Sequence, residues 1–180
     1  MLAYLFVILA VAVRLLIPVL QPHPWMFTPV VGSLLFFGAR GSRRQIWIPL
    51  ALFAACDLAL TKFVYVYPFS WDILVTWAWY AGILLLGTKL ANNQKPLRIV
   101  GAALAGSVSF FLLSNFVVWA AMDMYPKNFG GLMTSYTMAL PFFRNAVEGD
   151  LFFTAAMFAT PVVFEALSRA MSKGDHTAAA

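Results

Sequence analysis

Long apolar runs almost free of charge restrict this chain more than any other feature. Residues 71–90 carry only Asp72 and Lys89, one near each end, and residues 97–122 carry only Arg98. A helix needs ~20 apolar residues to cross a bilayer, and a helix on a water-soluble core would show a polar face over that length. Six such stretches can be read, at residues 2–20, 28–39, 46–66, 71–90, 97–122 and 148–171. Composition agrees: 62% of the residues are hydrophobic and 11% charged, against about 45–50% and about 25% in soluble domains. A soluble domain, a disordered chain and a disulfide scaffold are thereby excluded, since one cysteine forms no internal bridge. The sequence predicts an all-α integral membrane protein. Residues 1–172 form one bundle of six transmembrane helices, and residues 173–180 form a disordered tail.

The second stretch is about a dozen residues long, so it is either a short tilted span or a re-entrant piece. Charge favours a span. Counting it places Arg40, Arg43, Arg44, Lys89, Lys95, Arg98, Arg169 and Lys173, eight of the twelve basic residues, on one face. By the positive-inside rule that face is cytoplasmic, as are both termini. A multi-pass protein of the bacterial inner membrane is expected. The N-terminal run has no basic leader before it and reads as a span, not a signal peptide. Trp25, Trp71, Trp77, Trp79 and Trp119 fall in the outer half and only Trp47 at the inner boundary, which suggests an outward-facing aromatic pocket. Small residues at helix-packing spacing, Ala51/Ala55/Ala59, Gly101/Ala105 and Ala102/Gly106, are read first as contacts inside the bundle, with docking of a partner subunit as the alternative.

Charges within spans each cost ~2.5–3.5 kcal/mol at a helix centre, and Arg14, Asp57 and Lys62 are the three clear cases. Lys62 can snorkel to the interface. Asp57 cannot, and Arg14 is its expected partner, as a structural ion pair or as part of a substrate site. Cys56 reads as a small hydrophobe, with a thiolate ligand for cobalt as the sharper alternative. The proline-framed loop at residues 21–29 holds His23 and Trp25 at the outer mouth. Metal hydrolase and nucleotide-binding motifs are absent, so neither an enzyme nor a bound cofactor or metal is expected.

Residues 123–147 are expected to include a short interfacial or re-entrant helix, limited by Gly130-Gly131 and Pro141. Asn145 and Glu148 then look like a capping box for the last span, with Asp150 in its first turn. Arg144 is expected to pair with Asp150 or to face an anionic substrate group. Asn115 in the fifth span is expected to bond a neighbouring helix or a ligand.

Taken together, Arg14, Pro22-His23-Pro24, Phe27-Thr28-Pro29, Asp57, Ser114-Asn115-Phe116, Trp119, Tyr125-Pro126, Gly131-Leu132, Tyr136, residues 139–143, Asn145 and Gly149-Asp150 resemble a family of small bacterial membrane proteins. That family is of unknown function, and a transport role is ascribed to it. Size and layout are also similar to the substrate-capture components of energy-coupling-factor vitamin transporters, which work with separate ATPase and coupling subunits. These resemblances imply a substrate-binding component for uptake of a small nutrient such as a vitamin. Its pocket would draw on Arg14, His23, Trp25, Asp57, Trp77, Trp79, Asn115, Trp119, Tyr136, Arg144 and Asp150. The bilayer and a small molecule are the expected partners, with no nucleic acid. The alternatives are a self-sufficient carrier that moves a proton on Asp57, a thiol-dependent processing enzyme using Cys56 and His23, and a structural subunit.

Overall fold

The structure is a computed structural model that describes residues 1–20, 28–66 and 70–178, with side chains for residues 1–18, 28–66 and 70–171. The described residues are all-helical and include no strand. In chain order they form α1 (Leu2–Leu20), α2 (Val30–Arg40), α3 (Trp47–Ala59), α4 (Asp72–Leu90), α5 (Pro96–Ala121) and α6 (Phe129–Ala178). A 3-10 turn, Arg43–Gln45, leads into α3, and a π-helical segment, Leu60–Tyr65, continues it.

The core is organised around the shortest helix. Every residue of α2 from Val30 to Gly38 is buried, because α1, α4, α5 and α6 all pack against it. Glycine permits this enclosure. A Cβ on Gly38 would lie 2.3 Å from the Leu84 carbonyl oxygen and 2.9 Å from the Gly87 Cα, so the backbones of α2 and α4 meet directly. On another face of α2, a Cβ on Gly32 would lie 2.9 Å from the backbone nitrogen of Thr154 in α6. Between these crossings the Phe36 ring packs edge-on to Phe6 of α1 and Phe158 of α6, at 4.9 and 5.2 Å. The small-residue motifs picked out from sequence behave differently. Ala102 and Gly106 are buried as expected, but Ala51, Ala55, Gly101 and Ala105 are exposed, so they are not contacts inside the bundle.

The predicted re-entrant helix and separate last span are one helix, α6, of 50 residues and about 75 Å at 1.5 Å per residue. Gly130 and Gly131 lie in its first turn, where the Asn128 side chain caps the Gly131 N–H at 2.9 Å. Pro141 lies inside the helix and does not end it. Neighbouring helices and hydroxyl side chains let a packed apolar helix absorb the lost backbone bond. Asn145 and Glu148 are therefore mid-helix residues, and the capping box does not exist. Glu148 instead accepts from Arg144 at 2.9 Å, one turn back.

Among the described residues four helices are long and apolar enough to cross a membrane: Arg43–Tyr65, Asp72–Leu90, Pro96–Ala121 and Phe129–Met171. The six expected spans are reduced to four by this measure. At 11 residues α2 is about 16 Å long, half the ~30 Å of a hydrocarbon core, and the described apolar run of α1 is Leu2–Pro18. Some of the basic residues gather at one end, where Arg40 and Arg43 reach the chain around Lys89 at the close of α4. Arg40 bonds Gln94 at 2.6 Å and Arg43 bonds the Thr88 carbonyl at 3.1 Å, while Tyr4 donates to Gln45 beside them.

Candidate functional site

Asp57 is 6% exposed and is surrounded by donors from two other helices. From α1, Arg14 donates through Nε at 3.1 Å and Nη2 at 2.8 Å, both to Oδ1. From α4, Trp77 Nε1 reaches Oδ2 at 3.3 Å and the Tyr80 hydroxyl reaches Oδ1 at 3.4 Å. Trp77 and Tyr80 are three residues apart, hence on one face of α4. The expected Arg14–Asp57 pair is present, and the two donors on α4 complete it. This pattern satisfies a buried carboxylate with both a counter-charge and hydrogen bonds.

Arg14 also forms part of the wall of a cavity of about 420 Å³ between the helices. Such a volume lies in the range that holds small organic ligands. Its aromatic wall includes Trp79 and Tyr80 of α4, Phe110 and Phe111 of α5, and Phe142 and Phe143 of α6. The polar atoms come from Arg14, Thr28, Tyr65, Ser107, Ser114, Asn115 and Asp150 as well. Asp150 is 7% exposed, and its Oδ2 accepts a 2.6 Å hydrogen bond from Ser107. Among the described residues it forms no ion pair, and Oδ1 has no hydrogen-bond partner.

The π-helical segment shapes one side of this cavity. On an α-helix Leu60 and Tyr65 would point about 140° apart, whereas the wider turn brings both onto the cavity wall. The segment ends at Val66, whose φ of 54° is left-handed. A β-branched residue held there is strained, at a cost of order 1–3 kcal/mol. Apolar patterning gives no hint of a change in helix type, so the role of Tyr65 was not visible in sequence.

Of the residues proposed from sequence, Arg14, Trp79, Asn115 and Asp150 line the cavity, and Asp57 and Trp77 sit behind Arg14. Trp79 is fixed by donating to Ser109 at 2.9 Å, and the Asn115 amide donates to the Phe111 carbonyl at 2.8 Å. Trp119 lies apart, donating to the Pro126 carbonyl at 2.9 Å, and Tyr136 donates to the Leu112 carbonyl at 3.0 Å. Arg144 is exposed and pairs with Glu148, not with Asp150. His23 and Trp25 lie outside the described residues. Cys56 is buried beside Asp57 and is not part of the cavity wall. Among the described residues no three His, Cys, Asp or Glu side chains gather as a metal site would require.

These features define an all-helical bundle with buried charge beside an aromatic-walled cavity. The chain belongs to the family of unknown function DUF6580, whose model matches residues 1–173. No curated protein and no solved structure matches it. The transport role therefore rests on the sequence resemblance alone, and the likeness to vitamin-capture components on size and expected layout.

Proposed function

We propose that this chain is an integral membrane protein that binds a small nutrient inside its helical bundle, as the substrate-binding component of an uptake system. The observation that carries the reading is the cavity of about 420 Å³, whose apolar and aromatic wall is interrupted by a few buried polar groups. That is the usual make-up of a small-molecule site. Membrane residence is supported by the four long apolar helices, of which between 22% and 33% of each window is buried within the bundle. The remaining apolar surface needs lipid around it. In this reading α1 and α2 lie within the same layer antiparallel to each other, α2 reaching about halfway across, and the basic end faces the cytoplasm with both termini. Ala51 and Ala55, exposed on α3, offer a small-residue face on which a separate coupling subunit could pack.

Purified protein titrated with a panel of vitamin-sized compounds tests the reading. At least one compound is expected to change Trp79 fluorescence saturably. Ala139→Trp, which fills the cavity from α6, should abolish that response while leaving thermal unfolding cooperative. No saturable binding across the panel, or binding unaffected by Ala139→Trp, would reject the cavity as the site. Uptake into liposomes by this chain alone would identify a self-sufficient carrier in place of a capture component.

A further inference from the structure

We propose that the cavity ligand is a small organic cation, a protonated amine on an apolar or aromatic body, and that Asp150 is its counter-ion. The proposal rests on the reading of the cavity as a binding site and specifies the chemistry of what enters it. Charge balance is the first argument. Arg14 and Asp57 cancel as a pair at 2.8 Å, with Trp77 and Tyr80 adding hydrogen bonds to the carboxylate. Asp150 is then the acidic group of the wall that no cation balances among the described residues. An uncompensated buried carboxylate is costly, and a ligand ammonium seated beside it removes that cost.

Geometry leaves room for this contact. Ser107 Oγ lies 2.6 Å from Asp150 Oδ2 and 3.2 Å from the Ala103 carbonyl oxygen and has a single proton to donate, so at most one carboxylate oxygen is served and Oδ1 is left for a visitor. Among the described residues the titratable groups across the cavity are Arg14 of α1, Tyr65 of the π-helical segment and Tyr80 of α4. α2 contributes Val30 and Val31, α5 contributes hydroxyl, amide and aromatic groups, and α6 adds only apolar side chains besides Asp150. Faces of Trp79, Phe110, Phe111 and Phe143 attract a cation and its hydrocarbon body alike.

A second carboxyl group supports the assignment independently. Asp72 opens α4 at the end away from the basic cluster, and its buried Oδ1 has no hydrogen-bond partner among the described residues. It lines a smaller cavity of about 100 Å³ that shares Trp79, Phe110 and Ser114 with the main one. Two carboxyl groups without counter-ions among the described residues thus flank a common wall, an arrangement that draws cations and repels anions.

Three probes of nearly equal shape decide the matter: 2-phenylethylamine, 2-phenylethanol and phenylacetate, titrated calorimetrically into the purified full-length protein at pH 7.5. The amine is expected to bind at least about tenfold more tightly than the alcohol, and phenylacetate most weakly. In Asp150→Asn the amine should lose at least about tenfold in affinity while the alcohol is unchanged. Equal or better binding of the alcohol or of phenylacetate to the unaltered protein would overturn the cation assignment and leave the cavity reading standing. Amine preference that survives in Asp150→Asn would overturn the role of Asp150. Should that variant fail to fold, the order of the three probes on the unaltered protein still decides. Binding of none of the three rejects the proposal. Only failure of the wider vitamin-sized panel as well rejects the cavity itself.

Discussion

Asp57 and Asp150 are buried to nearly the same degree, at 6% and 7% exposed, yet their surroundings are opposite. Around Asp57 two helices converge with a guanidinium, an indole N–H and a phenolic hydroxyl. Beside Asp150 stands one serine hydroxyl. Burial alone therefore says little about what a carboxyl group is for. A fully compensated group holds helices together and gains nothing from a visitor. A group with a single neutral donor and an oxygen open to a cavity has capacity left for something that comes and goes.

The largest effect should separate the two by stability. Asp57→Asn leaves the guanidinium of Arg14, whose side chain is 29% exposed and so only part-buried, without its counter-charge, a loss toward the lower end of the about 3–5 kcal/mol of a broken buried pair. Asp150→Asn keeps a polar group beside Ser107 and removes an unbalanced charge, so its cost should stay near or below about 1 kcal/mol. Thermal unfolding in detergent compares them directly. Pairing Asp57→Asn with Arg14→Gln should recover part of the loss, because the two residues act as one unit. Equal destabilisation by the two Asp→Asn changes would mean that Asp57 and Asp150 are compensated alike.

Why one of these sites was legible in the sequence and the other was misread follows from their local settings. An aspartate in the middle of an apolar run has no escape to water, so Asp57 announced its need for Arg14 without any structure. The indole and phenol that complete its shell come from α4, and a tryptophan or tyrosine in an apolar run is equally at home at an interface or in a core. Asp150 was attributed to a helix start because Pro141 and the Asn145/Glu148 spacing imitate one. Once α6 is continuous, the dipole explanation for Asp150 disappears and its burial needs another reason. The general layout of apolar helices and the gathering of positive charge were readable from hydropathy and charge. The central position of α2 was not, because Gly32 and Gly38 matter through what lies opposite them, and that depends on the fold.

An intermediate effect comes from that crossing and bears on Asp57 more directly than on Asp150. Gly38→Ala places a methyl group 2.3 Å from the Leu84 carbonyl oxygen, a contact relieved only by moving α4 away from α2. The expected cost is about 1–3 kcal/mol, the usual range for overpacking. Moving α4 also draws Trp77 and Tyr80 from Asp57, whereas Ser107 and Asp150 lie on α5 and α6 and stay together. The near-ultraviolet circular dichroism of Trp77 and Tyr80 should therefore change, while amine binding through Asp150 falls less than stability does. Gly82→Ala on the same helix is the control, since a Cβ there meets nothing within 4 Å. A Gly38→Ala protein as stable as the parent would mean that α2 and α4 do not meet at this point.

The smallest expected effect probes the assignment that the structure changed. Arg144 and Glu148 are both well exposed, at 82% and 57% of their side chains, and lie one turn apart on α6. Pairs of this kind contribute about 0.3–0.5 kcal/mol, because water screens them and two long side chains must be ordered. Arg144→Gln should accordingly shift the unfolding midpoint by no more than that and leave the order of the three phenylethyl probes unchanged. The comparison of carboxyl groups depends on this result. If Arg144 swung inward to reach Asp150, it would supply the missing counter-charge, and its removal would then strengthen amine binding several-fold by unmasking the carboxylate. An unchanged amine affinity in Arg144→Gln leaves Asp150 as the unbalanced charge of the cavity, whereas a gain would make Asp150 a second compensated pair like Asp57.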